Sequence, residues 1–204
     1  MLGAATSTLP ISRAMLWVDR VGSFLFFLKP RLRIGGPGED GSAVDLSLLA
    51  NLSRHHATIE REGETYLLTP HGRTAVGGRP VSSPELLSDG NEIVLGSNVR
   101  MRFRIPSPMT NTARIDFVSE HRPRQSVNAV ILMDETCLLG PGVEHHVPCP
   151  VWKEPVVLYQ RDEKLWCKSR SGVSVNGSSH SSSMEVTNGA VVAGGEFRFR
   201  VEWA

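Results

Sequence analysis

Apolar residues recur with a period of two along most of the chain, the spacing of half-buried strands. Val99-Arg100-Met101-Arg102-Phe103-Arg104-Ile105 alternates strictly, with arginines on one face and apolar side chains on the other. Ala57-Thr58-Ile59, Tyr66-Leu67-Leu68 and Ile93-Val94-Leu95 are shorter strand-like runs, and Leu32 and Ile34 alternate with Arg31 and Arg33. Near the N-terminus, Trp17-Val18 and Val21 to Leu28 read as a strand, a glycine turn and a fully buried strand. Short polar or glycine-rich turns separate these runs, at 61–64, 76–78 and 88–91. Such spacing predicts an all-β sandwich. No long window repeats at 3.6; Ser83-Pro84-Glu85-Leu86-Leu87 predicts a single helical turn, with Ser83 capping it and Pro84 first.

The pattern also repeats. Shifting the chain by 99 lays residues 52–96 on 151–195 without a gap. Ala57 and Ile59 fall on Val156 and Leu158, and Val76-Gly77-Gly78 on Val175-Asn176-Gly177. Asn176-Gly177 predicts a two-residue hairpin turn, because both positions favour positive φ. Upstream, Ile34-Gly35 matches Leu139-Gly140; downstream, Met101-Arg102-Phe103-Arg104-Ile105 matches Phe197-Arg198-Phe199-Arg200-Val201 after a three-residue deletion. Two units of about a hundred residues therefore suit the 204 residues better than one large domain. The expected division is 1–105, a linker at 106–113 rich in proline and turn formers, and 114–204.

Charge narrows the function. The net charge is +1, and neither half carries the basic excess of a phosphate-neutralising nucleic-acid binder or of a membrane-surface protein. Three cysteines do not build a disulfide framework, which points to a reducing cytoplasm. The run from Met15 to Leu28 is interrupted by Asp19 and Arg20 and is too short for a bilayer span.

One stretch of the first unit carries a recognisable order of motifs. Ile34-Gly35 is followed by Leu52-Ser53-Arg54-His55-His56-Ala57-Thr58-Ile59, then by Val76-Gly77-Gly78, then by Leu87-Ser88-Asp89-Gly90-Asn91-Glu92-Ile93-Val94-Leu95-Gly96. It resembles the forkhead-associated (FHA) family, whose signature is Gly-Arg, Ser-Arg-x-His-Ala, Asn-Gly-Thr and Gly-Asp-x-Ile-x-Leu-Gly. The match spans about residues 17–105, and the second copy resembles the family mainly through the repeat. The resemblance implies two tandem β-sandwiches of about eleven strands each, with phosphothreonine peptides bound by loops at one end of the first. It assigns Ser53 to the phosphate and makes His56, with Gly35, the brace of the serine loop; Arg54 follows the serine and reaches toward the same anion.

The chain departs from the signature where the phosphate ligand is strongest. Gly36 replaces the arginine after the first glycine, and Gly72 replaces the asparagine that holds the peptide backbone. Arg33 and Arg73 are the candidate substitutes. In the second copy the serine motif reads Trp152-Lys153-Glu154-Pro155, and Pro141 follows Gly140. That copy is expected to be structural and not to bind phosphopeptides by the usual route.

Other chemistry finds less support. His55, His56 and His71, and His145-His146-Val147-Pro148-Cys149, invite a zinc reading, but no ligand spacing joins them, so no metal or cofactor is expected. Ser53 beside His55 and His56 is not a triad, and no phosphate-cradling or nucleophile-elbow motif is present. The expected protein is a non-enzymatic interaction module in signalling, with a protein partner containing phosphothreonine or acidic residues. The alternative is a phospho-independent scaffold.

Overall fold

The computed structural model describes residues 11–38, 44–180 and 182–204. The first ten residues of the expected 1–105 unit lie outside the described residues. The strands are β1 (Arg13–Val18), β2 (Gly22–Phe27), β3 (Arg31–Gly35), β4 (Leu46–Ser47), β5 (Ala57–Glu62), β6 (Thr65–Pro70), β7 (Thr74–Val76), β8 (Arg79–Val81), β9 (Glu85–Leu87), β10 (Glu92–Leu95) and β11 (Val99–Arg104). They continue as β12 (Ala113–Phe117), β13 (Ala129–Leu132), β14 (Thr136–Gly140), β15 (Val147–Pro148), β16 (Val156–Arg161), β17 (Lys164–Ser169), β18 (Val173–Val175), β19 (Ser178–His180), β20 (Ser183–Val186), β21 (Val191–Ala193) and β22 (Arg198–Trp203). The fold is all-β, as the alternation predicts. The expected helical turn at 83–87 is instead a bend running into β9, which pairs with β6 and buries Leu87.

One twelve-stranded sheet runs β19-β18-β21-β22-β1-β2-β13-β12-β11-β10-β7-β8. Two five-stranded sheets, β4-β3-β5-β6-β9 and β15-β14-β16-β17-β20, complete two sandwiches. The halves of the long sheet have the same internal order, but each is closed by strands from the far side of the repeat. β12 and β13 flank β11 in the first sandwich, while β1 and β2 flank β22 in the second. The first sandwich takes the continuous stretch β3 to β13, and Met15 of β1 with Leu25 and Phe27 of β2 also enters its core. The second is built from β1 and β2 together with β14 to β22.

This arrangement does not follow the expected division at 106–113. Residues 106–112 form the loop between the antiparallel neighbours β11 and β12, with Ser107 and Thr112 buried, and Ala113 already begins β12. The Tyr66 hydroxyl donates to the Asn111 carbonyl at 2.7 Å, and the Thr112 hydroxyl donates to the Thr136 carbonyl at 2.6 Å. A segment so tied cannot act as a free linker.

The physical cause lies in β2 and β13, which pair in parallel at the middle of the sheet. Both are apolar on both faces, as strands covered on both sides must be. Phe24 and Phe26, with Ala129 and Ile131, enter the second core; Leu25 and Phe27, with Val130 and Leu132, enter the first. Successive side chains point to opposite faces, so the two five-stranded sheets cover opposite faces of the long sheet. Arg61 and Asp134, paired at 2.7 Å, add a polar tie beside this junction.

The shift of 99 holds for β5 to β8 against β16 to β19. In the last strand it does not hold as aligned from the sequence. Ile93 pairs with Met101 and Val192 with Phe199, so Met101 corresponds to Phe199 and the deletion is one residue, not three. A two-residue slip keeps every inward side chain inward, which is why the apolar pattern alone does not detect it. The Asn176-Gly177 turn has the predicted positive φ values, 51° and 84°, and Gly77-Gly78 makes its counterpart in the first copy.

Candidate functional site

The loops after β4, β6 and β10 meet at one end of the first sandwich, and His56 joins them. Its buried ring accepts a hydrogen bond at Nδ1 from the Ser53 N–H, 3.2 Å away. That leaves Nε2 protonated in the neutral ring, so it donates to the Arg73 carbonyl at 2.9 Å. The same carbonyl accepts from the Gly96 N–H. One imidazole thus holds the Ser53 turn against the turn carrying Arg73, the bracing role the motif implies. Gly72 lies on this ring, since a Cβ there would sit 2.5 Å from His56 Cε1.

The two glycines after Ile34 are required by close approach. A Cβ on Gly35 would fall 1.9 Å from the Arg54 carbonyl oxygen, and one on Gly36 would fall 2.5 Å from the Leu52 carbonyl oxygen. The Gly36 N–H donates to the Ser53 carbonyl at 2.9 Å. The 50–54 segment therefore lies directly on the backbone at the position where the signature carries its arginine.

Ser53, Arg54 and Arg73 are exposed at this end. Among the described residues neither the Arg54 nor the Arg73 guanidinium has an ion-pair or hydrogen-bond partner. Arg33 is differently placed. It grips Asp45 in a two-pronged pair, Nε to Oδ2 at 3.0 Å and Nη2 to Oδ1 at 3.2 Å, and its backbone N–H donates to Oδ2 at 2.8 Å. Burial pushes the Asp45 carboxyl up, but these contacts outweigh it and hold the carboxyl below its ordinary range. Arg33 is thereby committed to Asp45, just before β4, a pairing that the distance of twelve residues hides in the sequence.

Beside His56 lies a second histidine cluster that the sequence motifs do not single out. The Thr58 hydroxyl sits 2.7 Å from His55 Nε2 and 3.1 Å from His71 Nε2. The two rings lie 4.0 Å apart between centroids, tilted by 46°. Burial lowers the His55 pKa, with help from His71 and Arg33. Among the described residues no group of three or more His, Cys, Asp or Glu is arranged to hold a metal ion.

The corresponding end of the second sandwich is built differently. Trp152, in the place of Ser53, is buried against Phe197, with ring centroids 5.4 Å apart. Pro155 replaces the bracing histidine, and Glu154 ties the loops instead. Its Oε1 accepts from the Ser169 hydroxyl at 2.8 Å and from the Ser171 N–H at 3.1 Å. Hydrogen bonds from Ser171 and Ser169 hold its carboxyl below the ordinary range. Nearby, Cys137, Cys149 and Cys167 are buried free thiols, and burial pushes the last two up to about 12. They behave as apolar side chains, not as nucleophiles.

Comparison with known families settles the first unit: residues 33–96 match the model of the FHA domain. The first sandwich contains an FHA domain. The match begins in β3 and ends just after β10, so it encloses Ser53, Arg54, His56 and Arg73. Among solved structures, the FHA-2 domain of a Mycobacterium tuberculosis ABC transporter is 24% identical. The alignment covers 45% of this chain and 76% of that one, at a TM-score of 0.33. An FHA domain studied for phosphothreonine-dependent interactions is 28% identical over 41% of this chain and 88% of its own, at 0.30. The N-terminal FHA domain from EssC, a component of the bacterial Type VII secretion apparatus, is 14% identical. That alignment covers 93% of this chain and 92% of its own, at 0.26. An FHA domain is a protein-interaction module, and residues 33–96 are the part of the chain that matches it.

Proposed function

We propose that the loop end of the FHA domain recognises a protein partner through a phosphothreonine, with Ser53, Arg54 and Arg73 as the contacts. The reading rests on one observation: the His56 brace brings the Ser53 and Arg73 turns together, while among the described residues neither nearby guanidinium has a partner. A phosphate carries close to two negative charges and three acceptor oxygens, and a hydroxyl flanked by two free arginines suits it. Arg33 acts indirectly, by holding Asp45. The second sandwich is structural in this reading, since Trp152 closes the equivalent end with an apolar contact.

A phospho-independent scaffold is the second reading, and the packing at Gly36 favours it. The backbone there leaves no room for the arginine that ordinarily grips the phosphate. Losing one charge-assisted contact costs about 1.5–3 kcal/mol, roughly ten- to a hundred-fold in affinity. Titration with an oriented phosphothreonine peptide library separates the two. The first reading expects binding that disappears on phosphatase treatment and weakens at least about tenfold in Arg54→Ala/Arg73→Ala. Equal binding of phosphorylated and unphosphorylated libraries would sink it and leave the scaffold.

A further inference from the structure

The Thr58 hydroxyl has one proton and two lone pairs. Between neutral rings it gives its proton to one imidazole and accepts Nε2–H from the other. Between two protonated rings it accepts from both and turns its own O–H aside. The same geometry therefore serves either charge state. What opposes double protonation is the repulsion of two imidazoliums whose rings are 4.0 Å apart, next to Arg33. Among the described residues the carboxylate acting on His55 is Asp45, and it already has both oxygens on Arg33. Arg54 precedes His55 in the chain and Arg73 lies two residues beyond His71, so they add positive charge. The facing side chain on β5 is Thr58, and Glu60 farther along that strand is held by Arg31 at 2.7 Å. Among the described residues the cluster thus has cations and titratable rings but no anion free to balance them.

We propose that His55 and His71 are the cationic half of the phosphate site, in place of the arginine absent at 36, so that the domain takes up protons as it binds a phosphothreonine. The proposal rests on the phosphothreonine reading above and deepens it. A dianion seated against the pair removes the repulsion, which stabilises both protonated rings and ties binding to pH. Affinity then rises as pH falls from 8 toward 6, until the phosphate itself takes up a proton near its second pKa of about 6.

The test uses the full chain and a peptide pool with a fixed phosphothreonine and randomised flanks. Binding is measured by anisotropy at pH 8, 7 and 6 for the wild type and for His55→Gln/His71→Gln. Each linked proton is worth up to about tenfold in affinity per pH unit. The affinity ratio of wild type to variant is expected to grow at least about tenfold from pH 8 to pH 6, the phosphate's own titration being common to both. Calorimetry of the wild type in two buffers of different ionisation heat, at pH 7.5, is expected to show net proton uptake. Parallel pH profiles for the two proteins, or wild-type binding without uptake, would overturn the histidine role while leaving phosphothreonine recognition standing. Absence of phospho-dependent binding at every pH would overturn both.

Discussion

The two ends of this molecule solve one mechanical problem with different chemistry. In each sandwich the loop after the short fourth strand of the repeat must be held to the turn after the sixth. In the first, the His56 imidazole does this from the inside, and among the described residues the guanidiniums around it have no partner. In the second, Glu154 reaches across to Ser169 and Ser171, and Trp152 fills the space against Phe197. The scaffold tolerates either solution because the strands beneath are unchanged. What the substitution removes is an open polar surface, and with it the means of gripping an anion. Loops on a rigid sandwich diverge in this way without disturbing the core.

The largest effect should come from cutting the exchanged strands. A fragment of residues 28–133 holds the strands β3 to β13 and gives up only Met15, Leu25 and Phe27 of the first core, so it is expected to keep dispersed NMR amide signals. A fragment of residues 1–105 loses Ala113, Ile115, Val130 and Leu132 from its core and is expected to melt at a markedly lower temperature. If 1–105 is the more stable fragment, its own β1 and β2 can replace the borrowed strands, and the exchange is optional.

Single substitutions sharpen the same contrast. Phe26→Ala and Phe27→Ala are neighbours, yet they empty different cores. Each should cost about 3–5 kcal/mol. Amide exchange should accelerate first in the second sandwich for Phe26→Ala and in the first for Phe27→Ala. Identical exchange patterns would mean that the two cores open as one.

Acid should strain the second sandwich. His146 is fully buried, its Nδ1 accepts from the Leu138 N–H at 3.0 Å, and burial lowers its pKa to about 4. The folded state favours the neutral ring, so its contribution is complete above the unfolded pKa of about 6.5 and is lost as pH falls toward 4. The loss amounts to about 3 kcal/mol. Denaturant titrations from pH 7 to pH 4 on wild type and His146→Asn check it, the variant being expected to lose less across that range.

The smallest change concerns the missing arginine. Gly36→Arg restores the family signature but drives a Cβ onto the Leu52 carbonyl. It is expected to lower stability by about 1–3 kcal/mol, the cost of overpacking, and to leave phosphopeptide affinity no better than wild type. Tighter binding in that variant would show that the 50–54 segment yields readily.

Much of the fold and of the braced loop is legible in the order of residues alone. Alternation locates the strands of both copies, the glycine pairs at 77–78 and 176–177 locate matching turns, and Ser53 to His56 locate the braced loop. The 83–87 segment misleads because Ser-Pro followed by Glu-Leu-Leu also starts a helix, and only pairing with β6 makes it a strand. The register of the last strand misleads because a slip of two residues is silent in a pattern of period two. Arg33 groups with Arg54 and Arg73 in the sequence because its partner, Asp45, lies twelve residues on, just before β4. The His55–Thr58–His71 cluster shows as scattered histidines until β5 and β6 are set side by side.

The amino-acid sequence by itself determined the class of fold, the repeat and the residues of the braced loop, because these follow from local periodicity and short motifs. Only the tertiary structure decided which strands close which sandwich. Phe24-Leu25-Phe26-Phe27 and Ala129-Val130-Ile131-Leu132 are apolar on both faces, so burial is assured whichever core receives them. Sequence pattern specifies that a strand is covered on both sides; partner choice depends on how two cores pack against one shared sheet, a property of the whole chain.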